Sequence, residues 1–105
     1  MARRQMFKVT SPLGYLVFLS RDRWREITRF KHPALAGKGR LVRDCIGSPS
    51  LVRESVKNPD VHLYYRPLGA VHVCVVVAPA AKGRWFVVTA YLTKNIKEGR
   101  ELWTS

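Results

Sequence analysis

The chain has 105 residues, 19 Lys and Arg against seven Asp and Glu, and a formal net charge of +12. That length suits one domain with its own hydrophobic core and excludes two. The charge exceeds what solubility requires and points to a polyanionic partner, drawn by the long-range field and by counterion release.

No internal repeat, Gly/Ser linker or low-complexity run divides the sequence, so residues 1–105 are read as a single domain. The start, M-A-R-R-Q-M-F-K-V, lacks an apolar leader core, and the longest apolar run, Val73 to Ala78, is too short to span a bilayer. A cytoplasmic protein is expected. Cys45 and Cys74 lie in apolar surroundings without the close Cys/His spacing of a zinc site, and are expected as buried free thiols.

The first 19 residues read as a hairpin: M-F-K-V, a turn at Ser11-Pro12-Leu13-Gly14, then Y-L-V-F-L. Ser20 is a good N-cap for an amphipathic helix that places Trp24, Ile27 and Phe30 on one face, with Arg21, Arg23, Arg25 and Arg29 elsewhere. His32-Pro33 ends it, because the residue before proline is pushed out of the helical region. A second helix is predicted from about Arg40 to Ile46, closed by Gly47-Ser48-Pro49. Four strand candidates follow: Leu51 to Val56, Val61 to Arg66, Val71 to Val77 and Arg84 to Leu92. Turn signals separate them, and short connections imply antiparallel neighbours. The expected fold is α+β, with one or two N-terminal helices, preceded by a short hairpin, packed on a four-stranded antiparallel sheet.

Period-two geometry predicts the faces of that sheet. One should carry Tyr64, Arg66, His72, Thr89 and Tyr91 along with His62, Cys74, Trp85 and Val87. The other should be nearly pure core, with Leu63, Tyr65, Val73, Val75, Val88 and Ala90 among its members. The alternative register of the hairpin before Gly69 would put His62 and Arg66 into the core layer, where an unpaired charge is costly.

The seven acids are scattered singly, so clustered carboxylates for a metal-dependent nuclease or a paired-carboxylate site are not in view. Gly37-Lys38-Gly39 lacks phosphate-loop spacing, and no G-x-S-x-G elbow is present. No metal and no cofactor is expected. Metal-free RNA cleavage requires less: the substrate's 2'-hydroxyl attacks, and the protein supplies a base, an acid and cations. His32, Arg53, Arg66, Thr89 and Tyr91 are the candidate catalytic residues, with Tyr64, His72, Lys94 and Lys97 as RNA-binding neighbours. Each has a plainer reading: a helix-end cation for His32, a solvated strand-end charge for Arg66, strong β-formers for Thr89 and Tyr91.

The order of motifs adds a resemblance. W-x-x-I with H-P-x-L, then V-R-E-S, L-Y-Y-R, V-C-V-V-V, V-V-T-A-Y-L and I-K-E-G-R-E-L-W, over about residues 13 to 103, resembles the phage-associated branch of the barnase, EndoU, RNase-colicin and RelE superfamily. The resemblance implies a metal-independent ribonuclease, often a toxin. His32, Arg53, Tyr64, Arg66, Thr89 and Tyr91 would line its active face, and an acidic antitoxin or immunity protein would mask it. The expected function is endonucleolytic RNA cleavage by transesterification, leaving a 2',3'-cyclic phosphate. The rival expectation is a basic RNA- or DNA-binding module of the same fold without the chemistry.

Overall fold

The computed structural model describes residues 5–105; the first four residues of the expected hairpin lie outside the described residues. β1 (Gln5–Thr10) and β2 (Leu16–Ser20) form the hairpin, turned at Gly14 with φ of 96°. Only glycine adopts that conformation without a steric cost. Ser20 then caps α1 (Arg21–Glu26) by accepting the Arg23 N–H at 3.1 Å.

Beyond Glu26 the helix widens. Ile27–Lys31 is a π-helical turn, closed by the His32 N–H donating to the Ile27 carbonyl at 2.6 Å. Two local causes converge there. The Thr28 hydroxyl donates back to the Trp24 carbonyl at 3.0 Å, which bends a helix, and Pro33 denies His32 a helical conformation. The wider turn changes the angular spacing of the side chains. Ile27 stays buried, but Phe30, predicted on the same stripe, stands 74% exposed and forgoes about 1.5–3 kcal/mol of burial. A 3-10 turn at Pro33–Leu35 seats Leu35 in the core, and α2 follows as Gly39–Gly47.

β3 (Leu51–Glu54), β4 (His62–Leu68), β5 (Val71–Pro79) and β6 (Trp85–Thr93) form the antiparallel meander expected from their short connections. The four-stranded antiparallel sheet is nevertheless a wrong expectation. The sheet is mixed and seven-stranded, in the order β1-β2-β6-β5-β4-β3-β7. The hairpin does not merely precede the helices: β2 joins β6 in parallel, through Val17–Trp85 and Phe18–Phe86. At the far edge, β7 (Glu101–Thr104) pairs antiparallel with β3. α1, the π-helical turn, the 3-10 turn at Pro33–Leu35 and α2 belong to a crossover within the sheet, between β2 and β3. None of them is long and apolar enough to cross a membrane.

One sheet face packs under α1, α2 and the turns between them. Val17, Leu19, Ile27, Leu35, Val42 and Ile46 meet Val52, Tyr64, Val73, Val75, Val77, Val87 and Ala90 there. Cys45 and Cys74 are buried free thiols, each with its pKa pushed up by burial first of all.

The predicted registers need two corrections. β4 is shifted by one relative to expectation: Tyr64 lies opposite Val75 and Arg66 opposite Val73, so Tyr64 and Arg66 sit on the core side, and Tyr65 faces away. The feared charge burial does not occur, because Arg66 lies at the rim, half-buried, and donates to the Ser48 carbonyl at 2.8 Å. That contact satisfies an acceptor just past the end of α2, a position that favours a cation. In β6, a bulge at Val88 lets Val87 lie opposite Val77 and Thr89 opposite Val76. Trp85 and Val87 therefore face the core, whereas Thr89 and Tyr91 face outward, and Val88 is only half-buried.

Candidate functional site

The sheet face turned away from the helices carries the remaining chemistry. Across four strands the cross-strand neighbours run Arg53, Leu63, Val76 and Thr89 in one row and Leu51, Tyr65, Cys74 and Tyr91 in the next. His72 and Thr93 are paired in a third. Phe18 and Phe86 extend this face toward the hairpin, their ring centroids 6.4 Å apart. The Arg84 guanidinium stands 5.6 Å from the Phe18 ring and that of Arg23 stands 5.9 Å from the Phe86 ring. Cations over aromatic rings of this kind are a surface on which bases and phosphates can be held together.

The segment after β6 folds back over the middle of this face. Thr93 and Asn95 form a side-chain turn, Thr93 Oγ1 accepting from the Asn95 N–H at 3.1 Å and donating to its carbonyl at 3.0 Å. Ile96 packs on the small cluster of Leu63, Tyr65 and Cys74. Lys97 is fixed at both backbone ends: its N–H donates to the Tyr65 hydroxyl at 3.1 Å, and its carbonyl accepts from Arg53 Nη1 at 3.0 Å. Its ammonium stands 5.9 Å from the centroid of Tyr91. Beside it a cavity of about 430 Å³ opens between Ser55, Val56, Lys57, Leu63, Lys97 and Glu98. From the other side the chain after the π-helical turn brings the His32 ring to 5.6 Å from the ring of Tyr91.

Three buried side-chain polar atoms among the described residues have no hydrogen-bond partner: Arg53 Nε, His72 Nδ1 and Thr89 Oγ1. All three residues lie on this face. An orphaned buried polar atom costs about 1–3 kcal/mol, and such atoms are rare enough that each asks for a reason. Burial also pushes up the phenols of the face. Tyr65 is raised to about 12, by burial first and by the neighbouring Cys74 next. Tyr91 is raised further, by burial and by its interaction with Cys74. Both keep their protons at neutral pH and can donate hydrogen bonds.

The structure thus divides the predicted site residues. It brings His32, Arg53, His72, Thr89, Tyr91 and Lys97 to the outward face, with Lys94 exposed just past the end of β6. It sends Tyr64 and Arg66 to the core side, so the expected single surface holding Arg66 with Thr89 does not exist. Tyr65, the other tyrosine of the Y-Y-R run, takes the outward place, and Cys74 lies between it and Tyr91.

A second polar assembly went unread in the sequence. Inside the core rim the Leu13 N–H donates to Ser11 Oγ at 3.0 Å, and Ser11 Oγ bonds the Tyr64 hydroxyl. The Tyr64 hydroxyl donates to that of Tyr15 at 2.6 Å, and Tyr15 reaches His62 Nδ1 at 2.6 Å. Tyr15 and His62 both stack on Trp85, at centroid distances of 4.1 and 4.4 Å. Nothing in the local sequence marks the bonds among Ser11, Tyr64, Tyr15 and His62, which join residues 47 to 53 positions apart.

No family model, no curated protein and no solved structure matches this chain.

Proposed function

We propose that this chain is an RNA-binding domain that cleaves RNA on the outward sheet face, without a metal, by attack of the 2'-hydroxyl on the adjacent phosphate. The observation that carries the reading is the set of unpartnered buried atoms of Arg53, His72 and Thr89 on one face of a chain of net charge +12. A phosphate has the acceptors that an arginine N–H and a threonine hydroxyl lack here. His32, beside Tyr91, is the proton acceptor from the 2'-hydroxyl, and His72 is the donor to the leaving 5'-oxygen. Arg53 and Lys97 offset the charge that develops on the phosphorane, while Thr89 and Tyr91 orient its oxygens by hydrogen bonds. The products are a 2',3'-cyclic phosphate and a free 5'-hydroxyl. A toxin role, and an acidic antitoxin or immunity protein covering the basic face, belong to the same proposal through the resemblance of its motifs.

A second reading, in which the face binds RNA without cutting it, is favoured by the cation–aromatic pairs at Phe18 and Phe86, which hold bases and phosphates without moving a proton. End-labelled RNA incubated with the protein and EDTA separates the two. Fragments ending in cyclic phosphate are expected. Intact but retarded RNA would leave only the binding function, and neither fragments nor retardation would overturn both.

A further inference from the structure

An exposed aromatic ring is ordinary by itself. Phe30 is not placed in an ordinary way. The spacing of Trp24, Ile27 and Phe30 would put it on the buried stripe of a regular helix, and the π-helical turn of Ile27–Lys31 takes it out to 74% exposure. Turns of this kind are uncommon and cluster at functional sites. The ring emerges among cations: Arg25, Arg29 and Lys31 are all exposed. Glu26 pairs with Arg23 at 3.5 Å and Lys31 at 3.4 Å, and among the described residues no carboxylate pairs with Arg25 or Arg29. Two residues further on, within about 7 Å along the backbone, His32 turns inward to meet Tyr91.

We infer that Phe30 is a stacking platform for one unpaired base of a single-stranded RNA, with Arg25 and Arg29 holding the phosphates on either side of it. The inference rests on the RNA reading above and gives it a substrate class. A base in a duplex is stacked on both sides and offers no free face to the ring, whereas every unpaired base does, whatever its identity. The chain would then accept single strands over duplexes without selecting a sequence at this position. The strand lying on Phe30 would enter the outward sheet face past His32.

The test compares wild type with Phe30→Ala, Phe30→Leu and Phe30→Trp by fluorescence anisotropy. The probes are a labelled single-stranded RNA of about ten nucleotides, enough to span one such site, and the same strand annealed to its complement. Thermal melts confirm the fold of each variant. Removing one stacked base is expected to weaken single-strand binding roughly 5- to 150-fold in both Phe30→Ala and Phe30→Leu, with duplex binding and melting unchanged and Phe30→Trp as tight as wild type. Single-strand affinity unchanged in Phe30→Ala, or lost equally for both probes, would overturn the platform while leaving RNA binding intact. A wild-type protein that binds neither probe would overturn the platform and the RNA reading together.

Discussion

Thr89 is the residue at which fold and function pull apart. Its hydroxyl is buried with no partner, and valine has the same shape without the polar atom. If the hydroxyl serves the substrate alone, Thr89→Val removes a desolvated group the fold does not use, and the urea midpoint is expected to hold or rise. The single-turnover rate of RNA cleavage is expected to fall about 10- to 100-fold, the scale of one lost hydrogen bond to a charged transition state. A variant that loses stability and keeps its rate would assign Thr89 to the structure. At this scale the sequence was partly legible. The types and order of His32, Arg53, Thr89 and Tyr91 identified residues that do gather on one face. Alternation along β4 points Tyr64 and Arg66 to the same face, but only the pairing with β5 decides which face that is, and a shift of one residue puts Tyr65 there instead of Tyr64.

Elements were more legible than their pairings. Ser20 as N-cap, His32-Pro33 as stop and the successive turns located both helices and the meander within a residue or two, because these signals are local. The seventh strand and the parallel seam were not readable, since β7 is four residues long and β2 meets β6 in only two pairs, both across long stretches of chain. The bulge at Val88 interrupts an unbroken apolar run that gives no hint of a change of face.

Gly99 secures the docking of β7 and of the segment that carries Lys97. A Cβ there would strike the Glu54 carbonyl, beside the Glu54 N–H to Arg100 carbonyl bond of 2.8 Å and the Arg100–Glu54 ion pair of 2.9 Å. Gly99→Ala is expected to cost about 1–3 kcal/mol of stability, the range for forcing atoms into a packed site, and to slow RNA cleavage by displacing Lys97. Urea unfolding together with the cleavage assay checks both; a variant unchanged in each would mean that the segment can shift without consequence.

For the molecule as a whole, His62 introduces a sensitivity to acid. Burial lowers its pKa first of all, with Arg100 pushing the same way and Glu54 and Asp60 opposing. Because the Tyr64 hydroxyl spends its one proton on Tyr15, Ser11 is left to donate to Tyr64 and Tyr15 to donate to His62, which makes Nδ1 the acceptor that ends the series begun at the Leu13 N–H. A protonated imidazole has no acceptor to offer. The unfolded chain takes up this proton more readily than the folded one, so stability is fully present above the unfolded pKa near 6.5 and declines as pH falls through it. Urea midpoints at pH 8 and pH 5 are expected to differ more for wild type than for His62→Gln. An equal difference in the two proteins would show that His62 carries none of the acid sensitivity.

The parallel seam gives that acid sensitivity a place. Among the described residues, the β1–β2 hairpin is tied to the sheet at β6 by two residue pairs, and the tyrosines and serine of the hydrogen-bonded series add a polar tie, from the turn and Tyr15 to Tyr64 and His62 of β4. Amide hydrogens exchange at the free energy of the smallest opening that frees them. Those of β1 and β2 are therefore set to exchange as one cooperative unit, ahead of β4 and β5, and to quicken on acidification, after correction for intrinsic rates, while the meander holds. One proton on one ring would be enough to make the hairpin of β1 and β2 behave as a separate folding unit.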